Sequence, residues 1–260
     1  MHFSFPDGSA VQINCPDSAA LLAAVRQRLQ DRRGFAIATL NVDHLQRLGE
    51  DAGFRAAYAA HDLVCADGNP IVWLSRIARR PVALAPGSDL VLPLAAEAAR
   101  AGLPVALIGS SDDSLARAAQ SMARAVPGLR VALTHAPGFP FDPLGEEGAE
   151  IIARIRTSGA RLCFLALGAP RQELFAIRAR DALGDTGFAS IGAGLDFLSG
   201  HQRRAPGLLR RLKLEWLWRM LSDPRRLFLR YAKGFAILPG HVRQALALRR
   251  DGRGGAGARS

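Results

Sequence analysis

The sequence predicts an α/β fold: a Rossmann-like, mostly parallel sheet flanked by helices, with a helical appendage at the carboxyl end. Three observations carry that reading. Apolar runs of strand length alternate with longer segments of helical period, as strands joined by helical crossovers do. The 260 residues, 49% hydrophobic and 22% charged, suffice for one large core plus an appendage, and fit neither a disordered chain nor a disulfide scaffold. From Gln202 onward the composition turns abruptly to Arg, Leu and Trp, with no further strand.

Residues 34–40 open the strand series as a continuous apolar run, and 62–66, 105–109, 131–134, 162–167 and 187–192 repeat it. Helical period marks 18–32, 42–48, 70–77, 90–101, 114–125, 146–158 and 172–183. Together these predict a catalytic-sized α/β domain over residues 1–200. In residues 201–250, Leu208, Leu209, Leu212, Trp216, Leu217, Met220 and Leu221 recur at three-to-four spacing among basic residues. Ser222, Asp223 and Pro224 then supply a stop, an N-cap and a first-turn proline for a second helix carrying Leu227, Phe228, Tyr231 and Phe235. Residues 251–260 are Gly- and Arg-rich, which predicts a disordered tail.

Charge divides the chain in the same way. Residues 1–200 hold 19 Arg and 20 acids, a net of −1; residues 201–260 hold 15 Lys plus Arg and 3 acids, a net of +12. The excess implies an anionic partner for the appendage, phospholipid headgroups or nucleic acid. No run approaches the ~20 apolar residues of a bilayer-spanning helix, and residues 1–9 lack the pattern of a secretory signal. A cytoplasmic protein with peripheral membrane contact is expected. Cys15, Cys65 and Cys163 show no CxxC or CxxH spacing, so neither disulfide nor zinc is expected. His44, His61, His135 and His201 show no metal-like spacing either.

Ligands of open α/β sheets bind outside the carboxyl ends of the strands, which directs attention to the polar residues there. Thr39 and Asn41 end the first core strand, where they can face a ligand or cap the next helix. Asp67 follows the second apolar run, before Gly68 and Pro70. It can act as a general base in a cleft if its surroundings raise its pKa, or serve as an N-cap. The turn Gly168-Ala169-Pro170 brings Arg171, Gln172 and Glu173 to a helix start. Its amides and Arg171 suit a pyrophosphate, a plain capping turn being the alternative.

In order, these segments resemble the WecG/TagA/CpsF glycosyltransferase family, from about Phe35 to Tyr231. The matching strings are Thr39-Leu40-Asn41 with Asp43-His44, Ala66-Asp67-Gly68, Gly87-Ser88-Asp89-Leu90 and Gly168-Ala169-Pro170-Arg171-Gln172-Glu173. Residues 194–200, Arg204-Ala205-Pro206, Leu214-Glu215-Trp216-Leu217-Trp218-Arg219 and Pro224-Arg225-Arg226-Leu227 match the family's carboxyl-terminal signature. The resemblance implies metal-independent, inverting transfer from a UDP-sugar donor to a polyprenyl-diphosphate-linked sugar, with no cofactor. It makes Asp67 the catalytic base and Thr39, Asn41 and Gln172 substrate-binding residues. Many relatives carry Glu-Arg where this chain has Ala83 and Leu84, the arginine serving the donor diphosphate. Arg171, Arg204, Arg219, Arg225 and Arg226 are the replacements available here. The string Ala66-Asp67-Gly68-Asn69-Pro70 is similar to that of exopolysaccharide members, which favours a glucosyl-type donor. An N-acetylmannosaminyl transferase of cell-wall polymer synthesis is the alternative within the family. A nucleic-acid-binding protein is a competing reading of the basic tail, disfavoured because Trp216 and Trp218 lie in an apolar helical pattern. A non-catalytic membrane adaptor is the other, which a measured turnover excludes.

Overall fold

A computed structural model describes the backbone of residues 1–201 and 224–254, and the side chains of 1–201 and 232–250. Strands β1 (His2–Ser4) and β2 (Ala10–Gln12) form a small antiparallel hairpin. The main sheet has six strands: β3 (Phe35–Leu40), β4 (Leu63–Ala66), β5 (Val105–Gly109), β6 (Val131–His135), β7 (Leu162–Ala166) and β8 (Gly187–Ser190). Their order is β4-β3-β8-β7-β5-β6, and every pairing is parallel. The helices are α1 (Ser18–Gln30), α2 (Val42–Glu50), α3 (Ala52–Ala59), α4 (Asn69–Ile77), α5 (Gly87–Arg100), α6 (Asp112–Ala125), α7 (Glu146–Ser158), α8 (Arg171–Leu183), α9 (Gly194–Leu198) and α10 (Pro224–Gly254). The chain is thus the α/β, Rossmann-like architecture that the alternation predicts, with a helix added at the carboxyl end.

The two-residue period of the strands distributes the core. Phe35, Ile37, Leu63, Cys65, Val105, Leu107, Leu162, Phe164, Ala189 and Ile191 point to one face, where α1, α5, α6 and α9 cover them. The alternate residues point to the other face. There Ala36, Ala106, Ile108, Cys163, Leu165 and Phe188 meet α7 and α8, while Ala38, Leu40, Val64 and Ala66 meet α2, α3, α4 and the hairpin. Such runs are apolar without alternation because both faces are dry. Helix starts are fixed locally: Asp17, Asn41, Asp51 and Ser111 each accept from a first-turn N–H, and Gly159 and Gly184 end α7 and α8 in the left-handed region.

Helix α10 is bound into the second of these cores. Ala245 is fully buried there, with Ile237, Leu238, Val242 and Leu248 packed beside it. Gln244 Nε2 donates to the Ser4 carbonyl at 2.8 Å, and His241 meets Phe3 edge-on at 5.6 Å between centroids. A Cβ on Gly234 would lie 2.8 Å from Val42, at the start of α2, whereas His241 and Gln244 share a groove with Gly49 and Glu50 at its end. Helices α2 and α10 therefore run in the same direction, and the ten residues of α10 before Gly234 add about 15 Å of helix ahead of the contact with Val42, at 1.5 Å per residue. Residues 202–223, which hold Leu208, Leu209, Leu212, Trp216, Leu217, Met220 and Leu221, and residues 255–260 lie outside the described residues. The helix itself continues to Gly254, into the stretch expected to be a disordered tail.

Candidate active site

With six parallel strands, all six carboxyl ends lie on one edge, and Thr39, Asn41, Asp67, Arg171 and Gln172 lie along it. Register places the first group. Thr39 pairs with Cys65 and Leu40 with Ala66, and the Asp67 N–H then donates to the Leu40 carbonyl at 2.7 Å. Asn41 and Asp67 are therefore the next pair along neighbouring strands, about 5 Å apart at the backbone. Thr39 is buried one step inside them. Asn41 caps α2, its Oδ1 accepting from the His44 N–H at 2.9 Å, which leaves its amide nitrogen as the group a ligand would meet. The cap and the ligand contact read from sequence are thus compatible in one carboxamide.

Asp67 is half-buried on a turn that Gly68 makes at φ 93°, before α4 starts with Pro70 in its first turn. Burial pushes up the Tyr58 hydroxyl and the Cys65 thiol, and the negative charge of Asp67 adds to both, so the carboxylate acts on the interior behind it as well as on the edge. Leu84 forms a parallel bridge with Ala66, and the Ala85 N–H donates to the Ala66 carbonyl at 2.8 Å. Leu84, where the resemblance leads one to expect an arginine, is thus immediately beside the strand that delivers Asp67, and its side chain is exposed.

The second group comes from the connection between β7 and α8. Gln172 is buried, and its carboxamide is held at both ends: Nε2 donates to Glu173 Oε1 at 2.7 Å and Oε1 accepts from the Gly192 N–H at 3.3 Å. This ties the start of α8 to the loop after β8, the strand next to β3. Arg171 is half-buried, its guanidinium 6.0 Å from the centroid of the Phe139 ring. Phe139 is 90% exposed, in the loop after β6. The Gln172 N–H donates to the Gly168 carbonyl, so that first-turn amide is already engaged within the turn. Arg204 and Arg219 lie outside the described residues. Arg225 and Arg226 lie in the first turn of α10, and their side chains are outside the description.

Three residues near this edge carry no distinct role in the sequence reading. Glu173 is fully buried, and desolvation pushes its carboxyl up to about 7 against the Gln172 hydrogen bond, its own N–H and the more distant Arg47. Phe139 announces itself only as an aromatic between Gly138 and Pro140 in a turn-rich string. Asp196 accepts from Ser110 and from Ser114 Oγ, which fastens α9 to the start of α6; no spacing rule pairs those positions. Among the described residues no three His, Cys, Asp or Glu side chains are grouped as a metal site.

An acid at the edge of a parallel sheet, a carboxamide one strand away and an arginine beside an exposed aromatic ring make this edge polar, as the carboxyl edge of an open α/β sheet that binds a polar ligand is. Residues 8–251 match the Glycosyl transferase WecG/TagA/CpsF family, and the chain belongs to that family of glycosyltransferase enzymes.

Proposed function

We propose that the protein is an inverting hexosyltransferase, moving a glucosyl-type residue from a UDP-sugar to an undecaprenyl-diphosphate-linked sugar in bacterial exopolysaccharide assembly. The observation that carries the reading is the pairing of Asn41 with Asp67 at the carboxyl ends of β3 and β4, within a family of glycosyltransferases. Asp67 takes the proton of the acceptor hydroxyl as its oxygen attacks the anomeric carbon. The bond to the nucleoside diphosphate breaks on the opposite face, and the single displacement inverts the centre. One base suffices. The exposed Phe139 ring offers a face for the nucleobase, and Arg171 beside it a charge for the diphosphate.

The lipid-linked acceptor presents its sugar near the headgroup layer, so the enzyme works at the inner face of the cytoplasmic membrane. No helix among the described residues is long and apolar enough to cross a membrane. The apolar side of α10 from Ile237 to Leu248 is used against the body, so attachment falls to residues 202–233 and their basic side chains. Arg204, Arg219, Arg225 and Arg226 then serve the acceptor diphosphate or the anionic surface. The test is a panel of nucleotide sugars against a synthetic polyprenyl-diphosphate sugar, with nucleoside diphosphate release as readout. Release that requires both substrates, with product of inverted configuration, supports the reading; release with no donor of the panel rejects it.

A further inference from the structure

Glu173 is a buried carboxyl that the transfer chemistry does not use. Its two oxygens are in different situations: Oε1 accepts from Gln172 Nε2, whereas Oε2 has no hydrogen-bond partner among the described residues although Glu173 is fully enclosed. Among the described residues no cation forms an ion pair with it. The charged groups that act on it are Arg47 and Asp43, both from α2, and Tyr58 of α3 lies within its electrostatic reach. Burying a carboxyl this way is costly, and an apolar residue of similar volume would fill the same space without that cost. Neighbouring positions on a helix do not normally face each other, so the contact between Gln172 and Glu173 is not a by-product of helical geometry.

The consequence for Gln172 is chemical. A carboxamide has a donating and an accepting end, and which end faces which way is decided by its partners. Glu173 Oε1 accepts, so the amide nitrogen must turn toward it. The carbonyl oxygen is then left beside the Gly192 N–H, with one lone pair still open. On the reading of this edge as a glycosyl-transfer site, we propose that Glu173 is a positioning residue: it fixes the Gln172 carboxamide so that the substrate meets an acceptor, suited to a sugar hydroxyl, and not a donor suited to phosphate. Gln172 thereby selects for the hexose and leaves the diphosphate to the arginines.

The experiment is a double-mutant cycle on the full chain, with Glu173→Leu and Glu173→Gln made in the wild type and beside Gln172→Ala. Glu173→Leu is expected to lower turnover roughly 10- to 100-fold while circular dichroism and Tm report a folded protein, because a loosened contact group misplaces the substrate. Glu173→Gln, which still offers an oxygen to Gln172, should recover most of that loss. Beside Gln172→Ala, Glu173→Leu should add less than about a twofold further loss, since its effect runs through the missing carboxamide. Full turnover of Glu173→Leu, or a loss that persists undiminished beside Gln172→Ala, overturns the proposal. If Glu173→Leu does not fold, Glu173→Asp, whose carboxyl is shorter by one methylene, replaces it under the same criteria. A readout independent of transfer separates this proposal from the functional one. In glutamine-labelled protein the side-chain amide protons of Gln172 should be slow to exchange in the wild type, fast in Glu173→Leu and close to the wild type in Glu173→Gln. Equal exchange in the wild type and Glu173→Leu sinks the positioning role even where transfer is observed, and the difference sustains it even if no donor of the panel is turned over.

Discussion

Asp67 and Glu173 are two carboxyls at one edge of a sheet, placed in opposite surroundings. Asp67 is half-buried on a turn, and the proposed chemistry needs it ionised; Asp67→Asn should lower transfer ~10²–10⁴-fold while leaving Tm within a few degrees, and near-normal turnover would reject the base assignment. Glu173 is enclosed and held up to about 7 from an ordinary value of 4.5. In that window the native protein binds a proton that the unfolded chain has released, so this group's stabilising contribution is complete below pH 4.5 and declines as pH rises to about 7, by up to about 3 kcal/mol. His61 works the other way. Burial holds it down to about 4 from 6.5, so its contribution grows as pH rises between those values. The check is therefore the stability of wild type minus that of Glu173→Gln across pH 4–8, which should fall with pH; a flat difference refutes the buried-acid account. The placement of Asn41, Asp67, Arg171 and Gln172 at the edge of the sheet was legible in the sequence because each follows an apolar run, and that of Thr39 because it lies at the end of one. Glu173 was not, because a first-turn acid normally faces water, and only the fold places it inside.

At the scale of elements, all six sheet strands and seven of the helices follow from periodicity. Five strands are unbroken apolar runs covered on both faces, and the edge strand β6, half-exposed, is still set off by the helical segments around it. The hairpin β1–β2 has strands of three residues, too short for alternation to register, and α3, with eight residues, spans little more than two turns, too few for its period to stand out. Strand order was not legible either, because β8, last in sequence, inserts between β3 and β7, and nothing local specifies that neighbour. The insertion has a steric condition that can be tested. A Cβ on Gly187 would overlap the ring of Phe35 on the adjacent strand, and both sit in the sheet interior. Gly187→Ala should destabilise by about 1–3 kcal/mol in denaturant titration, the cost of overpacking, and Gly187→Ala with Phe35→Leu should recover part of it. An unchanged midpoint for Gly187→Ala would mean that β3 and β8 are not packed this closely.

For the whole molecule, the separation of a neutral body from a basic carboxyl-terminal stretch predicts surface binding that salt controls. Each basic residue near an anionic membrane contributes ~1 kcal/mol, falling off within a Debye length. The protein should co-sediment with anionic liposomes at low salt and be released at high salt, and Arg225→Glu, Arg226→Glu and Lys233→Glu together should abolish binding without unfolding; equal binding by the triple variant would place the anchor elsewhere. Removing the whole appendage is a poor test, because the packing of α10 on α2, α4 and the hairpin makes it part of the core. That packing also dictates an order of events during synthesis. Every other element of that core precedes α10 in the chain, so the ribosome delivers it last. Until then Leu45, Leu48, Ile71 and Leu74 lack the helix that completes their cover. Chains terminated before Gly234 should accordingly be bound by holding chaperones or aggregate. A peptide spanning residues 232–250, supplied in trans, should return them to solution.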